Sequence, residues 1–141
     1  MKLNMKLAAL ALVALLAAPA ALAHAPKIGD HGGPQTNAGP FHLEVVIKDA
    51  TLDVYLNTHA LKPVPTEGFK GVAIFKSQDG APIRIPLTPA GDNKLSGVAP
   101  APLPAQLEGA VQITPITGST VVGKFGGTAN SDDAEHHGHD N

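Results

Sequence analysis

The chain contains no cysteine, so no disulfide holds its fold together and no thiolate is available as nucleophile or metal ligand. Tryptophan is also absent, and the only methionines are Met1 and Met5, inside the first apolar stretch. Once that stretch is removed no sulfur donor remains. A bound transition metal must then be held by nitrogen and oxygen, which favours Cu(II), Zn(II), Ni(II) or Co(II) over Cu(I). Aromatic residues make up 4% of the sequence, with Tyr55 the single tyrosine, too few for the aromatic substrate face of a copper-histidine oxidase. There is no Ser or Cys nucleophile motif and no phosphate-cradling loop, so no catalysis is expected. An excess of positive charge is missing as well: Lys and Arg number 10 against 12 Asp and Glu, a formal net charge of −2. That balance speaks against a nucleic-acid or anionic-membrane partner. Long helices are disfavoured by 13 prolines and 15 glycines spread along the chain.

What is present begins with a three-part export signal over residues 1–23. Lys2 and Lys6 supply the positive start, Leu7 to Leu16 is unbroken Leu, Ala and Val, and Pro19 interrupts the helix. Ala21-Leu22-Ala23 then gives the small-x-small pattern cut by signal peptidase. The alternative is a membrane anchor, but the apolar run falls short of the roughly 20 residues needed to span a bilayer. A cut after Ala25 would leave Pro26 at the new terminus, which the peptidase disfavours, so the mature chain is expected to start at His24 in the periplasm. No insertion into the membrane is expected after cleavage.

Residues 24–39, rich in Gly, Pro, Asn and His, read as an extended N-terminal arm. Residues 129–141 have no bulky apolar side chain and read as a disordered His- and acid-rich tail. Between them, residues 40–128 carry the apolar periodicity of an all-β domain. Phe41, Leu43, Val45 and Ile47 alternate with polar neighbours, and Leu52, Val54 and Leu56 do the same. Further strands are expected at Phe69–Ser77, Pro82–Leu87, Asn93–Val98, Leu107–Thr114 and Thr120–Phe125, with turn chemistry between them. About seven strands at this spacing suggest a small immunoglobulin-like two-sheet sandwich, with a small β-barrel as the alternative.

The first two strands are joined by a short turn at Asp49-Ala50. A register with Lys48 opposite Thr51 brings Ile47 to Leu52, Val45 to Val54 and Leu43 to Leu56, so the apolar residues share one face. A slip of one residue would move them all to the other face, which burial resists. On the solvent side, Glu44 then meets Tyr55, His42 meets Asn57, and His59 lies diagonal to His42. Diagonal neighbours are about 7–8 Å apart, close enough for two imidazoles to converge on one ion. His31, ahead of Gly32-Gly33 on the arm, and Glu44 are the nearest additional donors. The plain alternative is that each histidine is merely solvated.

Two further groups of donors lie near the ends. An N-terminal His24 offers its free amine and its imidazole as a chelating pair for Cu(II). In the tail, His136, His137 and His139 alternate with acidic residues, a flexible tract of the kind that binds Zn, Ni or Cu weakly.

Several of these segments carry a resemblance. His31-Gly32-Gly33, then Ala38 to Val46, then Leu52 to Leu56 with His59 and Lys62-Pro63-Val64, resemble a small periplasmic module of proteobacteria. That module is found alone or at the N-terminus of heavy-metal efflux adaptor proteins, and has a His-Gly-Gly … Tyr-x-x-x-His pattern. The later Leu87 to Leu95 is similar too, so the likeness covers residues 31–98. Where the module tends to have Asp before the histidine, this chain has Asn57-Thr58, and a carboxylate beside His59 is lost. The resemblance implies periplasmic metal handling without catalysis.

The combined expectation is a periplasmic protein that binds a divalent transition metal, copper or zinc, as a buffer, chaperone or efflux accessory. His31, His42 and His59 would form the folded site with Glu44 as an oxygen ligand, and His24 and the tail would collect metal. The partner would be the metal ion and an efflux adaptor or another envelope protein. The competing reading is a protein-interaction module of the envelope that binds no metal.

Overall fold

The computed structural model describes residues 27–126. The segment 1–23 expected to be an export signal, His24, and the segment 129–141 with His136, His137 and His139 lie outside the described residues. Within them the protein is all-β, without a helix: β1 Lys27–Ile28, β2 Pro34–Ala38, β3 Phe41–Lys48, β4 Thr51–Thr58, β5 Lys70–Lys76, β6 Pro82–Pro89, β7 Lys94–Val98, β8 Gly109–Thr114 and β9 Val121–Phe125. The last seven fall where the alternation puts them. The first two come from the segment read as an extended arm. Residues 34–38 are polar, but they pair antiparallel with β3, Ala38 opposite Phe41 and Asn37 opposite His42, and Ala38 is buried.

All nine strands form one antiparallel sheet in the order β1-β2-β3-β4-β7-β6-β5-β8-β9. β6 makes the sheet continuous. It pairs with β5 from Pro82 to Leu87, then hands over to β7 at Thr88 and Pro89. The sheet curls so that its two halves bring their apolar faces together. Leu43, Val45, Leu52, Val54, Leu56 and Leu95 come from one half, and Phe75, Ile85, Val111 and Ile113 from the other, all fully buried. Phe75 meets Phe125 edge-on with ring centres 5.9 Å apart. Each such side chain contributes about 1.5–3 kcal/mol of burial free energy. Gly123 on β9 lies directly over Thr36 and Leu43, so the last strand packs against the β2–β3 side of the sheet.

The β3–β4 hairpin has the register that burial requires, from Lys48 opposite Thr51 to Phe41 opposite Thr58. Its turn needs one left-handed residue, and Asp49 takes it with φ of 53°. After β4 the chain reverses at once. Leu61 N–H donates to the Thr58 carbonyl and Thr58 N–H to the Lys62 carbonyl, which fixes His59 in a tight turn at the end of the strand. The buried Thr66 hydroxyl, within 3.1 Å of the Gly91 carbonyl and 3.0 Å of the Lys94 carbonyl, ties the following loop to the β6–β7 connection.

Candidate metal site

One face of the sheet collects polar side chains because residues paired across strands point the same way. Gln35 is opposite Glu44, Glu44 opposite Tyr55 and Tyr55 opposite Lys94; one row along, Asn37, His42 and Asn57 face each other. Four of the expected ligands, His31, His42, His59 and Glu44, lie at this face. They are divided into two pairs. Among the described residues no three His, Asp or Glu side chains converge on a common point where an ion would sit.

The first pair is His31 with Glu44. The Glu44 carboxylate is buried, at 3% exposure, yet every contact around it is complementary. It accepts the His31 N–H at 2.8 Å and the Gly33 N–H at 2.9 Å, and the His31 Nδ1–H donates to its Oε1 at 2.8 Å. The His31 ring stacks on Tyr55, centres 3.6 Å apart and planes within 10°. The glycines make this possible. A Cβ on Gly29 would collide with the Glu44 carboxylate, and one on Gly33 with the Val45 carbonyl. Glu44 is therefore not a free oxygen ligand. It is the anchor that docks the 29–33 turn onto the sheet, a role that depends on backbone N–H groups a side-chain pattern does not reveal.

The second pair is His42 with His59. Their ring centres are 4.5 Å apart at 67°. His59 is exposed, and its Nε2–H donates to the Gly39 carbonyl at 3.0 Å, which leaves Nδ1 as the lone-pair nitrogen. His42 is half-buried, and its Nδ1 is shielded from solvent with no hydrogen-bond partner among the described residues. Burial, then the nearby His59 and Lys27, push the His42 imidazole below its ordinary value, so it is held in the neutral form that ligates metals.

Asp53, the other carboxylate on this face, is engaged elsewhere: the Ser96 hydroxyl donates to it at 2.7 Å and the Lys94 ammonium stands 3.9 Å away. The sequence reading missed Gly39 as the group that orients His59, because a backbone carbonyl has no signature in the residue string. It also missed Tyr55 as a platform for His31. At the end of the sheet near Gly39, Pro40, Phe41, Phe69, Ile116 and Val121 line a shallow apolar groove, with Ile116 70% exposed.

Comparison with protein-family models, with curated proteins and with solved structures gives no match to this chain.

Proposed function

We propose that this is a periplasmic protein that binds a divalent transition metal, copper or zinc, through His42 and His59. The observation that carries the reading is the juxtaposition of two imidazoles 4.5 Å apart, one of which has a shielded nitrogen without a partner. An unsatisfied polar atom costs about 1–3 kcal/mol, and a metal would use it. A site of two imidazoles, one of them exposed, suits exchange rather than permanent storage. That fits a buffer, a chaperone or an accessory to metal efflux.

The leader, the exported location and the efflux-adaptor partner belong to the same proposal. They rest on Lys2, Lys6, the apolar run, the Ala21-Leu22-Ala23 pattern and the likeness over residues 31–98. For the fold, we read the curled sheet as a variant of the immunoglobulin-like sandwich extended by β1 and β2. The support is that the sheet's two halves face each other across a shared core and are linked through β6.

Equilibrium dialysis of the mature protein against Cu(II) and Zn(II) tests the metal reading. Saturable binding lost in the His42→Ala, His59→Ala double variant is the expected result. Binding unaffected by that variant would remove the folded site. The groove beside Ile116 favours the second reading, an interaction module of the envelope, which would stand alone if no saturable binding is found.

A further inference from the structure

The two halves of the sheet present different outer faces. On β2, β3, β4 and β7 the outward positions are mostly polar, as a sheet with one side in water requires; Gln35, His42, Tyr55 and Ser96 are among them. On β5, β6, β8 and β9 they are mostly apolar. Pairing sets Arg84, Ile74, Ala110 and Lys124 in one row across these four strands, and Pro86, Val72, Gln112 and Val122 in the next. The alternate positions, Ala73, Phe75, Ile85, Val111 and Ile113, are in the core, so both rows face outward. Pro86 and Val122 are exposed, and Val72, Ile74 and Ala110 are half-buried.

Valine and isoleucine favour strands wherever they sit, so outward apolar residues alone would mean little. The charges are a second observation. These four strands contain Lys70, Lys76, Arg84 and Lys124, and not one Asp or Glu. The chain as a whole has more acidic than basic residues, so the single sign is a local property. Lys76 is joined to Glu108 at 2.7 Å, whereas Lys70, Arg84 and Lys124 have no ion pair among the described residues. Arg84 and Lys124 close the two ends of the first row, three strand spacings or about 14 Å apart.

We propose that this outer face is a docking surface for an acidic segment of another protein, whose apolar side chains cover Val72 and Ile74 while its carboxylates reach Arg84 on one side and Lys124 on the other. An apolar centre with charge at its rim is the ordinary anatomy of a protein interface, and rim charges of one sign select a partner of the other. A second copy fits poorly, because two such faces would set like charges against each other. A lipid surface fits poorly as well: valine, isoleucine and alanine lying flat on strands do not reach past headgroups, and the face has no aromatic side chain to do so. The surface is on the half of the sheet that does not carry His42 and His59, so it stands apart from the metal-binding reading.

The test titrates the mature protein with a synthetic peptide that has glutamates on both sides of a Leu-Ala-Leu centre, and follows the amide shifts by nuclear magnetic resonance. The expected result is saturable binding at low salt, with shifts confined to β5, β6, β8 and β9. Affinity should fall about threefold or more between roughly 0.05 and 0.5 M salt, and the counterpart peptide with glutamine for glutamate should not bind. Arg84→Glu with Lys124→Glu should weaken binding about tenfold or more, and Arg84→Gln with Lys124→Gln less, both with the urea midpoint of the parent. Lys48→Glu, a charge reversal on β3, should stay within about twofold. No saturable binding, shifts centred on β3 and β4, or equal affinity in the Arg84 and Lys124 variants would overturn the proposal. So would a parent that sediments as a dimer dissociated by Ile74→Lys, which gives the face to a second copy. Binding to vesicles with about one-third anionic lipid, lost in the same charge reversals and without binding of the peptide, gives it to a membrane and overturns the proposal too.

Discussion

His42 and Glu44 are two positions apart on the same face of β3, and each has a histidine from another segment beside it, yet the two corners are built oppositely. At Glu44 the carboxylate meets two backbone N–H groups and an imidazole N–H, and the imidazole rests on Tyr55. At His42 a ring nitrogen is shielded from water and has no partner among the described residues, while the His59 ring makes one hydrogen bond there, to the Gly39 carbonyl. The same residue types thus serve different ends. Where the described chain meets the hydrogen-bonding capacity, the group stabilises the fold; where it does not, the unpaired nitrogen is what the metal-binding proposal rests on.

The largest effect expected from that contrast is at Glu44. Glu44→Ala removes the acceptor for the His31 and Gly33 N–H groups and should cost about 3 kcal/mol, read as a lower midpoint in urea unfolding. Affinity for Cu(II) should stay within about twofold, because the carboxylate is already engaged by the His31 and Gly33 N–H groups. A large loss of metal with little loss of stability would reverse the assignment of the two corners. The opposite outcome is expected at His42. His42→Leu removes the unpartnered nitrogen and should raise stability by about 0.5–1 kcal/mol while abolishing binding at the folded site. If that variant is strongly destabilised, the ring has a structural partner and the contrast is lost.

The smallest effect is with pH. Because His42 is held below its ordinary value in the folded state, the unfolded chain binds more protons there as pH falls. Its contribution to stability is therefore full above the ordinary histidine range and declines from about pH 6.5 downward, until the folded-state value is passed. Unfolding curves at pH 7.5 and pH 5, compared between the parent and His42→Leu, read this difference. The histidine-dependent part of the slope should vanish in the variant.

How much of this was legible in the residues follows from the physics of each part. The β3–β4 register could be read because a slip of one residue would turn Leu52, Val54 and Leu56 away from Leu43 and Val45, and the short turn at Asp49-Ala50 selects among the alignments that remain. The His42–His59 approach follows from that register and the immediate reversal after Thr58. β2 could not be read the same way, since Pro34-Gln35-Thr36-Asn37 has no apolar alternation and becomes a strand only by lying along β3. The division of the expected four-residue site was hidden for a related reason. The partners that claim Glu44 are main-chain amides of the 29–33 turn, and every residue but proline carries one. The transfer of β6 between two neighbours was also invisible, because a strand that changes partner looks like any other strand in the sequence.

The sheet order also bears on how fast the chain reaches this state. β4 must wait for β7, and the Ser96–Asp53 hydrogen bond joins residues 43 positions apart. Chains dominated by such distant pairings close large loops before any contact rewards them, and fold in milliseconds to seconds rather than microseconds. For a polypeptide threaded through a membrane as we propose, that delay is useful: it prolongs the time in which the unfolded chain can still be captured and passed across.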